Sequence, residues 1–265
     1  MMSFKDAKKH TTLCVVNVVG TERISPNFIR VTLGGDQLQR LPDHGFDHWF
    51  RLYLPQEHGE TTFDLPNRAD TIGYLKYLRI PSATRPHLRN YTVRAFRPQA
   101  RELDIDFVVH GDEGVASRWV QRTKAGDTVA LLDQGCGYEF APDTTFHLLA
   151  GDETALAAIV GILRDLPRDA TGLAVVEIPD PADAQQVDAP AGFEVRWLPR
   201  PAGTRPGSLA LAAVQAWTTD SPTTVSAYFA GEQALPAGAR RHLVDIGVPK
   251  RRISFTGYWR LGKTH

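Results

Sequence analysis

The stretch 89–94, Arg-Asn-Tyr-Thr-Val-Arg, carries residue types that could bind a flavin. In a strand its side chains alternate, so Arg89, Tyr91 and Val93 point to one face and the residues between them to the other. A guanidinium can neutralise a phosphate, a tyrosine ring can cover an isoalloxazine, and a threonine hydroxyl can bond a polar ring edge. Although Arg-x-Tyr-Thr is also common in ordinary strands, we predict flavin contacts at Arg89, Tyr91, Thr92 and Val93.

The segment 110–119 could bind a pyrophosphate. It reads His-Gly-Asp-Glu-Gly-Val-Ala-Ser-Arg-Trp and passes through two glycines into a predicted helix. The N-terminus of a helix presents unpaired backbone N–H groups and a partial positive charge, and both favour phosphate. The first residue has two open roles, since it could orient the flavin phosphate or simply end the preceding strand. The cofactor candidates here are His110, Gly111, Gly114, Ala116 and Ser117, whereas Trp119 is predicted to pack into the domain core.

The segment 150–156, Ala-Gly-Asp-Glu-Thr-Ala-Leu, joins a predicted strand to a predicted helix, where α/β domains bind dinucleotides. It lacks the G-x-G-x-x-G pattern, and its two acidic residues would repel a pyrophosphate. The residue chemistry by itself therefore favours helix capping by Asp152 or Thr154.

Three charged residues later in the chain could contact the ribose of a nicotinamide nucleotide or a phosphate on it. Glu177 ends the next predicted strand, where an acid often binds the ribose of NAD. Arg200 or Arg205, in the loop after the following strand, could instead bind the 2′-phosphate of NADP. The sequence leaves the choice between NADH and NADPH open.

Composition describes an ordinary soluble protein rather than a nucleic-acid or membrane binder. The 265 residues are 42% hydrophobic and 23% charged, and 30 basic residues balance 30 acidic ones. The two cysteines form no disulfide framework or metal motif, and no apolar run approaches the length of a membrane span. We expect a cytoplasmic monomer with no membrane span and no nucleic-acid partner. No triad, carboxylate pair or metal-ligand spacing is present, so we predict no catalytic acid or base and no protein-held metal.

Hydrophobic patterning divides the chain into two predicted domains of an α+β protein. Residues 1–141 are expected to form a six-stranded antiparallel β-barrel, with strands at 12–20, 28–33, 46–54, 89–96, 102–109 and 128–132 and one helix at about 113–122. The stretch 56–88 is expected to be a long irregular connection. Residues 142–265 alternate strand and helix, which predicts a doubly wound parallel α/β domain of about five strands.

These segments, together with the closing Thr256-Gly257-Tyr258-Trp259-Arg260, resemble the siderophore-interacting protein family over nearly the whole chain. The resemblance implies an FAD-dependent ferric-siderophore reductase of the ferredoxin reductase superfamily, with a flavin barrel followed by a domain that binds NAD(P)H. Two other classes remain open: a general flavin reductase or electron transferase with another acceptor, and a siderophore carrier without catalysis. Ferredoxin is an alternative electron donor.

The resemblance also implies roles for residues that chemistry alone leaves open. It places Asp152, Thr154 and Ala155 next to the flavin, although Ala157 stands where the family has a proline. It places Arg51, Arg260 and Lys263 at the mouth of a siderophore pocket, where they would attract an anionic chelate. The turn Asp133-Gln134-Gly135-Cys136-Gly137 lacks a basic residue that relatives sometimes contribute there.

Overall fold

The computed structural model describes residues 11–109 and 114–262, and the chain divides into two compact units between Gly137 and Tyr138. Three predicted site residues, His110, Gly111 and Lys263, lie outside the described residues. The functional boundary at residue 142 remains a prediction.

The first unit contains a seven-stranded antiparallel sheet. Its strands are β1 (Leu13–Ser25), β2 (Phe28–Gly34), β3 (Trp49–Leu54), β4 (His87–Thr92), β5 (Ala95–Arg97), β6 (Glu102–Val108) and β7 (Thr128–Asp133). They are paired in the order β4-β3-β7-β1-β2-β6-β5. Alternate residues of β1 and β2 are buried, as expected for strands that pack one face on a core and leave the other towards water.

The fourth predicted strand, 89–96, is two strands in the structure. Its halves, β4 and β5, are the two edges of the sheet and are joined by Val93 and Arg94 alone. The Val93 N–H donates to the His48 carbonyl at 2.8 Å, and the Arg94 N–H donates to the Asp104 carbonyl at 2.9 Å. The chain therefore changes its partner from β3 to β6 at this point. One bent segment thus supplies both sheet edges, which explains why seven strands are found where six were predicted.

The stretch 56–88 was predicted to be irregular, and this prediction is wrong for one segment. A helix, α1 (Thr71–Leu78), begins after Asp70, whose side chain accepts the Gly73 N–H at 2.9 Å. Its Tyr77 packs on Tyr53 of β3, with ring centroids 5.7 Å apart. The second helix, α2 (Val115–Val120), lies where the sequence predicted one.

The second unit is a five-stranded parallel sheet with helices, as predicted. Its strands are β8 (Phe146–Gly151), β9 (Thr171–Ile178), β10 (Gly192–Pro199), β11 (Val225–Glu232) and β12 (Ile253–Trp259), in the order β10-β9-β8-β11-β12. Its helices are α3 (Leu156–Asp165), α4 (Ser208–Ala216) and α5 (Ala234–Asp245). Every residue of β11 is buried, as expected for a central strand of a parallel sheet. The strand order reverses between β8 and β11, so a crevice is expected at the carboxyl ends of these strands.

Within the two described ranges, every helix is too short or too polar to serve as a membrane span. Cys14 and Cys136 are both buried, and neither forms a disulfide in the part of the chain that the structure describes. Burial raises the pKa of the Cys14 thiol to about 11, so this group is a poor nucleophile at neutral pH.

Candidate functional site

The ladder between β3 and β4 decides which predicted site residues share a face. Arg51 is paired with Asn90, and Phe50 with Tyr91. Side chains of directly paired residues lie on the same face of a sheet, so Arg51 and Asn90 share a face with Thr92. Tyr91 lies on the opposite face with the buried ring of Phe50. The substrate candidate Arg51 and the flavin candidate Thr92 are therefore brought together.

A row of three aromatic rings joins the two predicted flavin segments. The ring centroids of Tyr91 and Phe107 are 4.3 Å apart, and those of Phe107 and Trp119 are 5.5 Å apart. Phe107 is fully buried in β6, and Trp119 is almost fully buried, as the sequence predicted. Burial raises the pKa of the Tyr91 hydroxyl well above its ordinary value, so the ring is neutral at physiological pH. The row fixes β4 against α2.

The first turn of α2 lies beside this row. Ala116 packs against the same core as Tyr91, and Ser117 is buried. Gly114 precedes the helix with a φ of 84°, a left-handed conformation that favours glycine. A Cβ added at Gly114 would meet no atom of the described residues within 4 Å, so these residues leave space for a ligand there.

A cationic cluster joins the same two segments near their exposed ends. Glu57, after β3, pairs with Arg118 of α2 at 3.1 Å and also with Arg122, which follows that helix. Hydrogen bonds from Arg122 and Arg118 lower the pKa of Glu57. Burial and the charges of Arg89 and Arg118 lower the pKa of His87, although Glu57 opposes them, so His87 lies within electrostatic reach of all three groups. Three arginines against one glutamate leave net positive charge for a phosphate.

A cleft of about 490 Å³ opens beside this cluster. It runs between the segment after β3 and the helix α2, and its walls combine an aromatic floor with charged and hydroxyl groups. Its lining includes Pro55, Glu57, Phe63, Val115, Trp119 and Arg122. The charged residues of this lining, Glu57, Arg122 and Asp127, carry no net positive charge. The half-buried ring of Tyr91 and the arginine cluster, rather than this cleft, fit the apolar and phosphate parts of FAD. The sequence missed His87, Arg118 and Arg122, although the spacing of the two arginines on one helix face was a signal.

In the second unit, both carboxylate oxygens of Asp152 accept hydrogen bonds from other groups of the protein. Asp152 follows β8, is fully buried, and caps the turn Glu153–Ala155 by accepting the Thr154 N–H at 3.0 Å. Its other oxygen accepts the Glu232 N–H at 2.6 Å and the Trp259 indole N–H at 3.1 Å. Burial and the nearby charge of Glu153 raise its pKa to about 6. Helix capping is confirmed, and the cofactor role of Asp152 remains a prediction.

The other two predicted cofactor residues of this segment differ in exposure. Ala155 is fully buried, and a Cβ added at Gly151 would lie 2.5 Å from its methyl group. Gly151 is therefore required for the close approach of this turn to β8. Thr154 is half-buried and keeps part of its surface towards water.

Glu177 caps a helix instead of facing a ribose. It is fully buried and accepts N–H groups of Gly207, Leu209 and Ala210 at 2.8, 2.8 and 3.1 Å. Arg200 pairs with Glu177 at 2.9 Å and with Glu153 at 2.8 Å. Both side chains are occupied by these contacts within the protein, so neither is available to bind a nucleotide.

Of the three charged residues predicted to contact the ribose or its 2′-phosphate, Arg205 is the one that is accessible to solvent. Its side chain is 55% exposed, against 10% for Arg200, and it pairs with Glu232 at 3.0 Å. The C-terminal candidate Arg260 is also exposed, and it directly follows Trp259 at the end of β12.

A buried cluster of His44, His48 and Asp133 was not predicted. Asp133 ends β7, and its two oxygens hydrogen-bond the Nε2 atoms of His44 at 3.2 Å and His48 at 2.8 Å. Such a group can hold a metal ion. However, the buried Nδ1 of His48 lacks a hydrogen-bond partner, whereas a metal-ligating imidazole almost always donates its second N–H. We therefore assign a hydrogen-bond network that anchors the start of β3 beside Val93.

Asp133→Asn is expected to lower the free energy of unfolding by about 1–3 kcal/mol, because an amide cannot accept at both positions. Although burial opposes it, hydrogen bonds from His44 and His48 lower the pKa of Asp133 well below its ordinary value. Its contribution to stability is therefore present above about pH 4 and is lost as the pH falls further. Urea unfolding between about pH 1.5 and 7 measures this. An unchanged acid dependence in the variant would contradict the assignment.

Two family models match the chain. The siderophore-interacting FAD-binding domain covers residues 17–136, and the siderophore-interacting protein model covers residues 144–262. An uncharacterised protein of Mycobacterium tuberculosis, Rv2895c, is 32% identical over 93% of this chain and 90% of its own length. The ferric vibriobactin reductase ViuB of Vibrio cholerae is 29% identical over 94% and 90%. An NADPH-dependent ferric-chelate reductase of Escherichia coli is 30% identical over 69% and 70%.

Solved structures agree with this assignment. The siderophore-interacting protein SipS of Aeromonas hydrophila is 30% identical, covers 96% of this chain and 94% of its own, and superposes with a TM-score of 0.78. A siderophore utilization protein from T. fusca is 34% identical over 96% and 95%, with a TM-score of 0.79. A ferredoxin reductase of a carbazole 1,9a-dioxygenase system, 17% identical over 94% and 70% with a TM-score of 0.66, shares the fold.

Proposed function

Since the chain belongs to the siderophore-interacting protein family, we propose that it is an FAD-dependent ferric-siderophore reductase with NAD(P)H as electron donor. Membership confirms the resemblance predicted from the sequence. When bound, FAD would supply the conversion of a hydride into single electrons for siderophore-held Fe(III). Ferric iron is the harder cation and is held more strongly by oxygen ligands, so reduction favours release of Fe(II).

The residues of this chain would bind and orient FAD rather than react. Tyr91 offers a half-buried ring that the core holds in place, and Thr92 offers a hydroxyl on the opposite face of β4. Arg89 and Arg118 form the cationic end of the site, beside His87, whose lowered pKa favours the neutral imidazole. We propose that this end receives the pyrophosphate, together with backbone N–H groups at Ala116 and Ser117.

The observation that carries the proposal is the shared face of Arg51 and Thr92 on the β3–β4 ladder. It places a half-buried cation beside the strand that is proposed to carry the flavin. An anionic chelate attracted by Arg51 would therefore lie close to the flavin, as transfer of single electrons requires. Arg260 and Lys263 are the further substrate candidates.

The electron donor is proposed to dock on the second unit. Because Glu177 and Arg200 are consumed by protein contacts, we propose Arg205 as the residue that would contact a 2′-phosphate. A protein donor such as ferredoxin is the alternative. The monomeric state and a cytoplasmic location, where free thiols such as Cys14 stay reduced, are also proposals.

Arg51→Ala and Arg260→Ala are each expected to raise KM for an anionic ferric siderophore about two- to fivefold, as weak surface ion pairs do. The kcat should change little, because neither residue takes part in electron transfer. Lys76→Ala is the matched control, since Lys76 is an exposed cation on α1. Ferrous iron released under NADPH or NADH is measured with a colorimetric chelator. Equal KM changes in all three variants would contradict the assignment of Arg51 and Arg260.

The same assay tests the function itself. Ferric siderophores should release Fe(II) at a rate that depends on bound FAD. If free flavin or another acceptor is reduced while no ferric siderophore yields Fe(II), the protein is a general flavin reductase. Tight siderophore binding without FAD binding would make it a carrier.

A further inference from the structure

We propose that Asp152 is a positioning residue, which fixes the end of β12, and with it Arg260, by holding the indole of Trp259. The inference rests on the proposed function in one respect, the role of Arg260 towards substrate. The contact itself stands on the geometry of the second unit. This contact assigns the buried carboxylate of Asp152, which follows β8, a structural role instead of nucleotide binding.

Asp152 joins the ends of three strands through its two oxygens. Oδ1 accepts the N–H and the hydroxyl of Thr154 after β8. Oδ2 accepts the Glu232 N–H at the end of β11, at 2.6 Å, and the Trp259 indole N–H at the end of β12, at 3.1 Å. Four donors on one fully buried carboxylate satisfy it completely.

The structure makes room for this contact at Gly231. This residue has a φ of 129°, a conformation that L side chains rarely adopt, and an added Cβ would lie 2.6 Å from the Asp152 carboxylate. Any side chain at this position would displace the carboxylate from its four donors.

Two further hydrogen bonds hold the same end of β12. The Gln233 N–H donates to the Trp259 carbonyl at 2.9 Å, and the Leu261 N–H donates to the Glu232 carboxylate at 3.3 Å. The backbone is thus held on both sides of Arg260, which has no hydrogen-bonding role in this arrangement and is exposed. A cation whose backbone is fixed in this way meets a substrate with less of the strand end left to order on binding.

Asp152→Asn separates positioning from charge and size. An amide accepts at one oxygen only, so its nitrogen must face two donors, either those of Thr154 or those of Glu232 and Trp259. Trp259→Phe removes the indole donor alone and leaves the carboxylate in place. Asp183→Asn is the matched control, because Asp183 is also a fully buried capping carboxylate of this unit but contacts Asp180 instead of β12.

The first readout is limited trypsin cleavage of the full chain after Arg260, followed by mass spectrometry. Both Asp152→Asn and Trp259→Phe should release the C-terminal peptide about tenfold faster than wild type, because cleavage follows the population of the released strand end. Asp183→Asn should not. If Asp152→Asn does not fold, Trp259→Phe tests the same contact. Cleavage at the wild-type rate in the folded variants would overturn the proposal.

The second readout is the kinetics with an anionic ferric tris-catecholate. Asp152→Asn should raise KM as much as Arg260→Ala does and leave kcat within about twofold, and the double variant should be no worse than Arg260→Ala alone. Additive effects would overturn positioning through Arg260. Faster cleavage of Asp152→Asn with an unchanged KM in both Asp152→Asn and Arg260→Ala would support the strand contact and overturn the substrate role of Arg260. An unchanged KM in Asp152→Asn while Arg260→Ala raises it would overturn positioning instead, so the two failures are distinguishable.

Discussion

Phe107→Ala is expected to lower the free energy of unfolding of the first unit by about 3–5 kcal/mol, the range of a large buried aromatic ring. Phe107 is fully buried and is the middle ring of the row that includes Tyr91 and Trp119. Its removal leaves a cavity between β4, β6 and α2, and the two other rings lose their common partner. The measurement is urea unfolding followed by tryptophan fluorescence, which Trp119 reports from the edge of the cavity.

Phe255→Ala is the matched control for this experiment. Phe255 is an exposed phenylalanine of β12, and Arg240 lies over its ring at 4.8 Å. Loss of an exposed ring and one cation–π contact is expected to cost about 1 kcal/mol or less. Equal effects of the two substitutions would contradict the central position of Phe107 in the core of the first unit.

Arg89→Ala is expected to weaken FAD binding about 10- to 100-fold, the equivalent of about 1.5–3 kcal/mol for hydrogen bonds to a charged group. Arg89 lies on β4 within electrostatic reach of His87, which also senses Glu57 and Arg118. Removal of this charge should leave the fold and the core of the first unit intact, because the Arg89 side chain is only half-buried. Titration of apoprotein with FAD, followed by flavin fluorescence, measures the dissociation constant.

Two further variants sharpen this test. Arg89→Lys keeps the charge and loses the forked pair of donors, so its affinity should lie between those of wild type and Arg89→Ala. Arg79→Ala, at an exposed cation that ends α1, should bind FAD as wild type does. FAD affinity that is unchanged in Arg89→Ala would remove Arg89 from the proposed site.

Periodicity was sufficient to predict an antiparallel sheet in the first unit and a parallel sheet in the second, but not the seven strands of the first sheet. The strands of the second unit are apolar runs separated by helices, and this pattern leaves few alternatives to a parallel sheet. The bend at Val93 and Arg94 was not predictable, because an unbroken alternation continues through it. The change of partner depends on backbone donors that reach the carbonyls of Asp104, on the strand that follows β5, and of His48, which is remote in sequence.

The site was only partly predictable, for a related reason. The aromatic and cationic residues of 89–94 and 114–119 lie in contiguous motifs, so their role as candidate flavin contacts could be predicted from the sequence. Glu177 stands where an acid often binds a ribose, yet it caps a helix whose N-terminus begins 30 residues later. His48 and Asp133 are 85 residues apart and meet only because β3 pairs with β7. Long-range pairing of this kind leaves no local signal.

The visible spectrum of the purified protein, followed anaerobically, tests the central claim most directly. FAD should give flavin bands that bleach on addition of NADPH or NADH and return when a ferric siderophore is added, with Fe(II) released in step. Bands that neither nucleotide bleaches but reduced ferredoxin does would replace the donor and retain the reductase. Protein that binds no FAD, or reduced flavin that no ferric siderophore reoxidises, would contradict the assignment as a ferric-siderophore reductase.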